Sequence, residues 1–213
     1  MTFFKIIKFF LFFFLGKTHF TLRLIKHSDS IFEQSPGKIL YAYGIFQDSF
    51  EDLERKFPKV VLHEGLPSEE LISQEFADIK HGLIILDDLV EEIGRSREIC
   101  NLFIRDMHHK NISVLFLYQN LFHQSRFMRT ISLNLLYFVL MKTFRDKAQI
   151  LHLARQMFPD CPALAMEAYN DAVNSKKRGG YLVITNVTTA DEEDRLATNI
   201  FPGEVLTVYH PKM

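Results

Sequence analysis

Apolar runs of strand length alternate with helical patterns along most of the chain. The runs 82–88 (GLIILDD) and 111–119 are too rich in apolar residues to alternate, which is typical of strands buried on both faces of a sheet. Further strands are predicted at 38–46, 59–64, 135–141, 181–185 and 205–209. Helices are predicted at 17–27, around 49–56, after the cap Ser68, and at 94–110, 146–158 and 162–177. This order predicts an α/β fold with a doubly wound, mostly parallel sheet and helices on both faces.

The composition is that of one folded unit. At 213 residues and 47% hydrophobic content, the chain is long enough for a sizeable core. No linker or repeat divides it after residue 16, so we expect a single domain over 16–213. A formal net charge of −1 argues against a wholesale nucleic-acid coat, although it is compatible with a local basic surface. Cys100 and Cys161 lie far apart, which favours reduced thiols over a disulfide framework or a zinc cluster.

Residues 1–15 differ in composition from the rest of the chain. Lys5 and Lys8 precede an apolar run at 9–15, which superficially resembles a signal peptide. The run is much shorter than the roughly 20 apolar residues that a membrane-spanning helix needs, so we expect no stable membrane insertion. No small-residue cleavage site follows it. We therefore expect an intracellular protein, of the nucleus or cytoplasm, that is not secreted.

Gly16, Lys17 and Thr18 match the last three positions of the phosphate-binding pattern GxxxxGK[ST] and precede a predicted helix. In that pattern the lysine reaches the β- and γ-phosphates of ATP, and the threonine hydroxyl binds Mg²⁺. The N-terminus of the helix adds backbone N–H groups that favour an anion. By itself GKT is a weak signal, because a surface turn before an ordinary helix can have the same residues.

A second pattern downstream makes the first more specific. Asp87 and Asp88 end the apolar run 82–88, as in a Walker B strand. There the first carboxylate holds Mg²⁺ and the next acid polarises the attacking water. An acidic strand-to-helix turn is the ordinary alternative. Gln119 ends the next buried strand, where it would orient water beside the γ-phosphate, or else it begins a loop.

Two arginines are candidates for a role between subunits. Arg126 and Arg129 are spaced i,i+3 in the segment HQSRFMRTISLN. Either could act as an arginine finger toward a neighbouring subunit, and we select Arg129 as the catalytic candidate. Solvated charge on a helix is the alternative role.

Five segments together resemble the packaging ATPases of Polinton/Maverick elements and adintovirus-like genomes: GKTHFTLRLI, GLIILDDLVEE, FLYQNLFHQSRFMRTISLN, FRDKAQILHLARQMFP and RLATNIFPGEVLTVYHPK. That group belongs to the FtsK–HerA class of P-loop motors and is similar to the DNA-packaging ATPases of large DNA viruses. The resemblance implies an ASCE-like P-loop NTPase that uses ATP and Mg²⁺. It also implies a homo-oligomeric ring that moves double-stranded DNA into a capsid, with capsid proteins as further partners.

The resemblance also assigns roles to the matching residues. Lys17 and Thr18 take the Walker A positions, Asp87 is the Mg²⁺ acid, Asp88 the catalytic acid and Gln119 the polar sensor. Many relatives have Asp-Glu where this chain has Asp-Asp. The shorter second side chain puts its reach to the water in question.

The upstream half of the loop departs from the pattern. The first glycine belongs at position 11, which is Leu11, and bulky residues fill 12–15. Glycines matter there because the chain needs positive φ and a close backbone approach to phosphate. We therefore predict poor ATP affinity for the chain as written. The apolar residues before the loop remain suited to the strand that leads into it.

Two other classes of function stay open. A catalytically inactive P-loop domain, kept as a binding or interaction module, would share the fold without turnover. An exported protein with a cleaved N-terminus is disfavoured, because cleavage would fall in the GKT helix.

We hypothesise that residues 1–15 are a translated intron and lie outside the domain. A run of Phe and Leu codons before Gly16 can be a pyrimidine tract ending in TTTAG followed by G, which is the form of an intron's 3′ end. The true upstream exon would then encode the missing glycines. Decay of an integrated element is the rival explanation.

Sequencing a transcript across the Gly16 codon tests this hypothesis. We expect a spliced mRNA that joins a glycine-encoding exon to this codon, because the resemblance starts abruptly there. A contiguous mRNA that encodes 9–15 would show that the hypothesis is wrong.

Overall fold

The structure, a computed structural model, describes residues 8–12, 16–95, 110–118, 130–131, 133–144, 146–175, 179–187 and 194–211. The predictions for Gln119, Arg126 and Arg129 lie outside these residues, as does most of the helix predicted at 94–110.

The described strands form one sheet. They are β1 (Lys8–Phe12), β2 (Lys38–Tyr43), β3 (Val60–Glu64), β4 (Gly82–Asp87), β5 (Ile112–Tyr118), β6 (Tyr137–Met141), β7 (Tyr181–Thr185), β8 (Leu196–Thr198) and β9 (Thr207–Val208). Their order across the sheet is β3-β2-β4-β5-β1-β6-β7-β8-β9. The strands from β3 to β6 in this order are parallel, and β7, β8 and β9 each run antiparallel to the preceding neighbour.

The helices connect these strands on both faces. They are α1 (Lys17–Lys26), α2 (Ser28–Ile31), α3 (Leu53–Lys56), α4 (Glu69–Glu75), α5 (Val90–Arg95), α6 (Lys147–Met157) and α7 (Pro162–Asn174), with a 3₁₀ turn at Asp48–Phe50. The connections β1 to β2 to β3 run toward one edge, and those from β3 to β4 to β5 run back. Since parallel crossovers are right-handed, α1 to α3 lie on one face and α4 and α5 on the other. The predicted α/β, doubly wound, mostly parallel fold is confirmed.

β5 separates the two strands that precede the predicted site residues. It lies between β1, which leads toward Gly16, and β4, which ends in Asp87. One strand therefore separates the strand before the predicted phosphate-binding residues from the strand that ends in the predicted Mg²⁺ acid.

The central strands are as buried as their composition predicts. Every residue of β4, β6 and β7 is buried, and β4 lies between β2 and β5. A strand covered by helices on both faces needs apolar residues at consecutive positions. This is why GLIILD does not alternate.

Several elements differ in extent from the prediction. β2 ends at Tyr43, three residues before the predicted end, and the region around 49–56 is a 3₁₀ turn followed by one short helix. α5 begins at Val90, before the predicted start at 94. β8 was not predicted, since three residues give too short a pattern to recognise. The cap of α4 is confirmed, because Ser68 Oγ accepts from the Leu71 N–H at 3.2 Å.

The apolar segment before Gly16 contributes the strand β1. Its backbone pairs in parallel with β5 on one side and β6 on the other, with Phe9 opposite Leu115 and Tyr137. Residues 8–12 therefore take the place of the strand that leads into the phosphate-binding loop. The domain boundary at 16 and the intron origin of 1–15 stay predictions.

The C-terminal segment holds α1 against the sheet. Arg23 donates to Glu204 Oε1 at 2.7 Å, and its guanidinium lies 4.1 Å from the centre of the Phe201 ring. The Phe20 ring lies 5.0 Å from both the Tyr181 and Phe201 rings. Phe20 and Arg23, which share one face of α1, thus tie this helix to residues late in the chain.

Within the part of the chain that the structure describes, no helix has both the length and the apolar character needed to cross a membrane.

The packing of Gly180 against α7 yields a stability prediction. A Cβ at this position would lie 2.5 Å from Ala172 O and 2.9 Å from Val173 Cα, both of them backbone atoms. We expect Gly180→Ala to lower the free energy of unfolding by about 1–3 kcal/mol, because the helix must shift. Urea denaturation measures this change.

Gly37→Ala is the matched control. Its added Cβ would meet Ile79 at 3.5 Å, an ordinary contact, so we expect a change within about 0.5 kcal/mol. Equal losses in the two variants would contradict the prediction.

Candidate functional site

The candidate site lies at the carboxyl ends of β1, β4 and β6, beside the start of α1. Gly16 immediately precedes this helix with φ 113°. A Cβ there would lie 3.2 Å from Met141 Sδ at the end of β6. The backbone conformation therefore favours glycine, and a larger residue would also need a small shift of the Met141 side chain.

The first turn of α1 is suited to an anion. Gly16 provides no side-chain cap, and no acidic residue occupies the first turn. The leading N–H groups of a helix lack partners within it, and together with the helix dipole they favour negative charge. Lys17 and Thr18, both half-buried, are the first two residues of this turn.

Asp87 is a buried carboxylate facing this turn. It ends β4 and is only 4% exposed. Tyr41 from β2 donates its hydroxyl to Asp87 Oδ2 at 2.9 Å. Lys17 Nζ lies 4.0 Å from Asp87 Oδ1. Two oxygens of one carboxylate thus meet a neutral donor from the sheet and a cation from α1.

Burial dominates the protonation equilibrium of this carboxylate. It raises the pKa of Asp87, and the neighbouring charge of Asp88 adds to the rise, while Tyr41 and Lys17 oppose it. Burial also raises the pKa of Tyr41, as does the adjacent charge of Asp87. The tyrosine therefore keeps its proton and remains a donor at neutral pH.

Asp88 is held on a tight turn and exposed to solvent. Its φ is 59°, a left-handed conformation that aspartate adopts more readily than most residues. Its carbonyl oxygen would lie 2.8 Å from a Cβ at Gly44, whose N–H donates to Asp87 O at 2.9 Å. Close approach of the two strand ends thus requires glycine at 44.

The structure brings five of the predicted residues to this one edge: Gly16, Lys17, Thr18, Asp87 and Asp88. Lys17 and Asp87 approach directly, and Thr18 lines one small space beside α1 together with Tyr41. Gln119 follows the last residue of β5, but both it and Arg129 lie outside the described residues.

Sequence reasoning missed Tyr41 and Gly44. Tyr41 is the one polar-tipped residue in the middle of the apolar run ILYA, and a buried tyrosine hydroxyl usually finds a partner. That signal predicts a partner without naming it.

The donor set fits a Mg²⁺-nucleotide on the side of the lysine and the carboxylates. Lys17 would hold phosphate, and Thr18 and Asp87 would hold Mg²⁺, which prefers oxygen ligands. Among the described residues no group of three His, Cys, Asp or Glu side chains could hold a metal alone, so phosphate oxygens would complete the shell. The loop side fits less well, because β1 continues through Leu11 and Phe12 where the pattern asks for a glycine.

The fold and site together define an α/β P-loop type of protein. No protein-family model matches the chain, and no curated protein matches it. Among solved structures, it is similar to B204, the DNA-packaging ATPase from Sulfolobus turreted icosahedral virus, with 9% identity and a TM-score of 0.55. That alignment covers 97% of this chain and 98% of the viral one.

A second solved structure shows the same likeness. The genome packaging NTPase B204 from Sulfolobus turreted icosahedral virus 2, in complex with ATP-gammaS, is 10% identical with a TM-score of 0.52. The alignment covers 98% of each chain. At such identities the likeness shows the fold, and it extends over nearly the full length of both proteins.

The raised pKa of Asp87 generates a prediction about stability. A carboxyl whose pKa is higher in the folded state loses stabilisation as pH rises through that value, because the folded state must give up a proton it holds more tightly. We expect Asp87→Asn to raise the free energy of unfolding at neutral pH by about 0.5–2 kcal/mol. The gain should shrink toward acid pH, where Asp87 is protonated. Urea denaturation across pH measures it.

Asp88→Asn provides the matched control. Asn tolerates the left-handed backbone, and the side chain is exposed, so we expect a change within about 0.5 kcal/mol. A loss of stability in Asp87→Asn at neutral pH would mean that the attraction to Lys17 outweighs the cost of burial.

Proposed function

We propose that this chain is the ATPase domain of a DNA-packaging motor of the FtsK–HerA class, as found in Polinton/Maverick elements and adintovirus-like genomes. It would couple ATP hydrolysis to translocation of double-stranded DNA. The viral packaging proteins that share its fold, one of them bound to an ATP analogue, support the general type of activity. The segments quoted above support the narrower class.

One observation carries the proposal. Lys17 and Asp87 belong to separate sequence motifs, and the fold places Lys17 Nζ 4.0 Å from Asp87 Oδ1 at the carboxyl edge of the sheet. A cation at the start of a helix facing a buried carboxylate is the arrangement that phosphate and Mg²⁺ together require. An ordinary acidic turn does not need a half-buried lysine opposite it.

The proposed roles follow the chemistry of each group. Lys17 neutralises charge on the β- and γ-phosphates, while Thr18 and Asp87 ligate Mg²⁺. Asp88 faces solvent at the same edge and polarises the attacking water. Gln119 is proposed as the sensor of the γ-phosphate, and Arg129 as the finger that reaches a neighbouring subunit.

The motor would work as a homo-oligomeric ring inside the cell. A ring explains how a chain with a net charge of −1 could bind DNA, because a pore surface forms only on assembly. Capsid proteins are the expected partners of such a ring.

An inactive P-loop domain that serves as an interaction module is the second candidate. The observation that favours it is the bulky sequence at 11–15, since these residues leave no glycine where the backbone must approach phosphate.

Restoring the loop tests the proposal. We expect the full chain carrying Leu11→Gly, which completes the pattern GxxxxGKT, to hydrolyse ATP in a Mg²⁺-dependent reaction, and the unaltered chain to do so more slowly. Adding Lys17→Ala should lower the rate by about 10²-fold or more, because an electrostatic contact to the reacting phosphate is lost. Released phosphate measures the rate, and circular dichroism checks folding.

Lys26→Ala is the matched control, because this lysine is exposed at the far end of the same helix. We expect it to leave the rate unchanged. Absence of turnover in the folded loop variant would overturn the motor and favour the inactive module.

A further inference from the structure

An aromatic ring faces solvent at the carboxyl edge of the sheet, where the candidate site lies. Phe144 is 74% exposed and lies three residues after Met141, the last residue of β6. Exposing a large apolar surface has a cost in water, and the hydrophobic core does not include this ring.

The chain that carries Phe144 is firmly held. Tyr169 donates its hydroxyl to Met141 O at 2.9 Å and accepts the Thr143 N–H at 3.1 Å. The Asp146 N–H donates to Thr143 Oγ1 at 3.2 Å. An aromatic ring on an already ordered backbone loses little conformational entropy when a ligand packs against it.

The polar neighbour of the ring is also fixed. Lys142 Nζ lies 5.4 Å from the centre of the Phe144 ring and donates to Asn174 Oδ1 at 2.8 Å. Phe144 therefore offers an apolar face beside polar groups, which suits a flat heteroaromatic ligand.

The position of β6 fixes which part of a nucleotide could reach this ring. Lys17 and Asp87 mark the place of the terminal phosphate, on the side of β1 where β5 and β4 lie. β6 is the neighbour of β1 on the other side, and Met141 Sδ lies 3.2 Å from the Cβ position of Gly16. A nucleotide whose terminal phosphate points to Asp87 extends its ribose and base away from β4, toward the end of β6.

We propose that Phe144 is the stacking platform for the base of the nucleotide whose phosphates bind at Gly16, Lys17 and Thr18. This inference rests on the proposed function and adds the base-binding part of the same site. The ring binds through its π-face, so it favours purines for their larger area without reading their hydrogen-bonding edges.

The chain offers a direct spectroscopic test, because it contains no tryptophan. In the full chain carrying Phe144→Trp, millimolar ATP should quench the fluorescence of the single indole by stacking, whereas tripolyphosphate, which has no base, should not. Leu133→Trp is the matched control, because Leu133 is equally exposed at 74% but precedes the start of β6. Its fluorescence should not respond to either ligand.

An affinity measurement separates this inference from the proposed function. Because the bulky residues at 11–15 predict weak affinity, equilibrium dialysis is done with labelled ATP at millimolar concentration, where it should show binding that Lys17→Ala removes. Phe144→Ala should weaken this binding by about 10-fold, as expected for the loss of one stacked base, and should leave tripolyphosphate binding unchanged.

The remaining outcomes of these measurements contradict either the stacking role of Phe144 or the nucleotide site as a whole. Lys17-dependent ATP binding that is equal in Phe144→Ala and the unaltered chain, with no quenching in Phe144→Trp, would overturn the platform and leave the proposed function intact. Quenching by single-stranded DNA and not by ATP would also overturn it. Absence of Lys17-dependent ATP binding would overturn the inference together with the nucleotide site.

Discussion

The buried carboxylate of Asp87 is the constraint on which the candidate site depends. The residues around it supply hydrogen bonds and charge in place of the water that this carboxylate has lost. A buried charge is tolerated only when hydrogen-bonding and charged partners replace the lost water. Tyr41 supplies a hydroxyl at 2.9 Å, and the Lys17 ammonium lies 4.0 Å away. These partners come from β2 and α1, so one carboxylate fixes the relative positions of three elements. Under the proposed function, Mg²⁺ bound to Asp87 would offset the cost that remains, because a metal–carboxylate contact replaces part of the lost hydration.

The rest of the chain holds the cation of this pair in place. α1 begins directly after Gly16, whose positive φ favours glycine, and a later turn is tied by Arg23 to Glu204 and Phe201. Gly44 lets the ends of β2 and β4 approach until its N–H reaches Asp87 O at 2.9 Å. The exposed Phe144 ring lies at the same edge, on a segment whose backbone is held by hydrogen bonds to Tyr169. The edge is therefore assembled from segments distributed along the whole chain.

Folding and catalysis place different demands on the segment before Gly16. A strand at the centre of a parallel sheet needs apolar residues on both faces, and the composition of β1 satisfies that need. A phosphate-binding loop needs glycine, which positions 11–15 do not supply. The residues before Gly16 therefore satisfy the requirements of a central strand but not those of a phosphate-binding loop. The likeness to viral packaging proteins at 9% and 10% identity shows that the same fold can be formed by very different sequences.

The sequence by itself determined the α/β class and the extent of most elements, and it predicted five residues that the fold brings to one edge of the sheet. Consecutive apolar residues can be read directly as buried strands, and GKT and LDD are local patterns whose residues are neighbours in the chain. It did not determine β8, whose three residues are too short for a pattern, or the positions of Tyr41, Gly44 and Phe144 around the candidate site. Tyr41 matters because β2 pairs with β4 and brings its hydroxyl to Asp87, and Gly44 because two strand ends nearly touch. Phe144 lies near the candidate site only because β6, the strand that precedes it, pairs with β1. Strand order is set by long-range pairing, which the local pattern of one strand does not encode, so the tertiary structure alone decided which side chains meet.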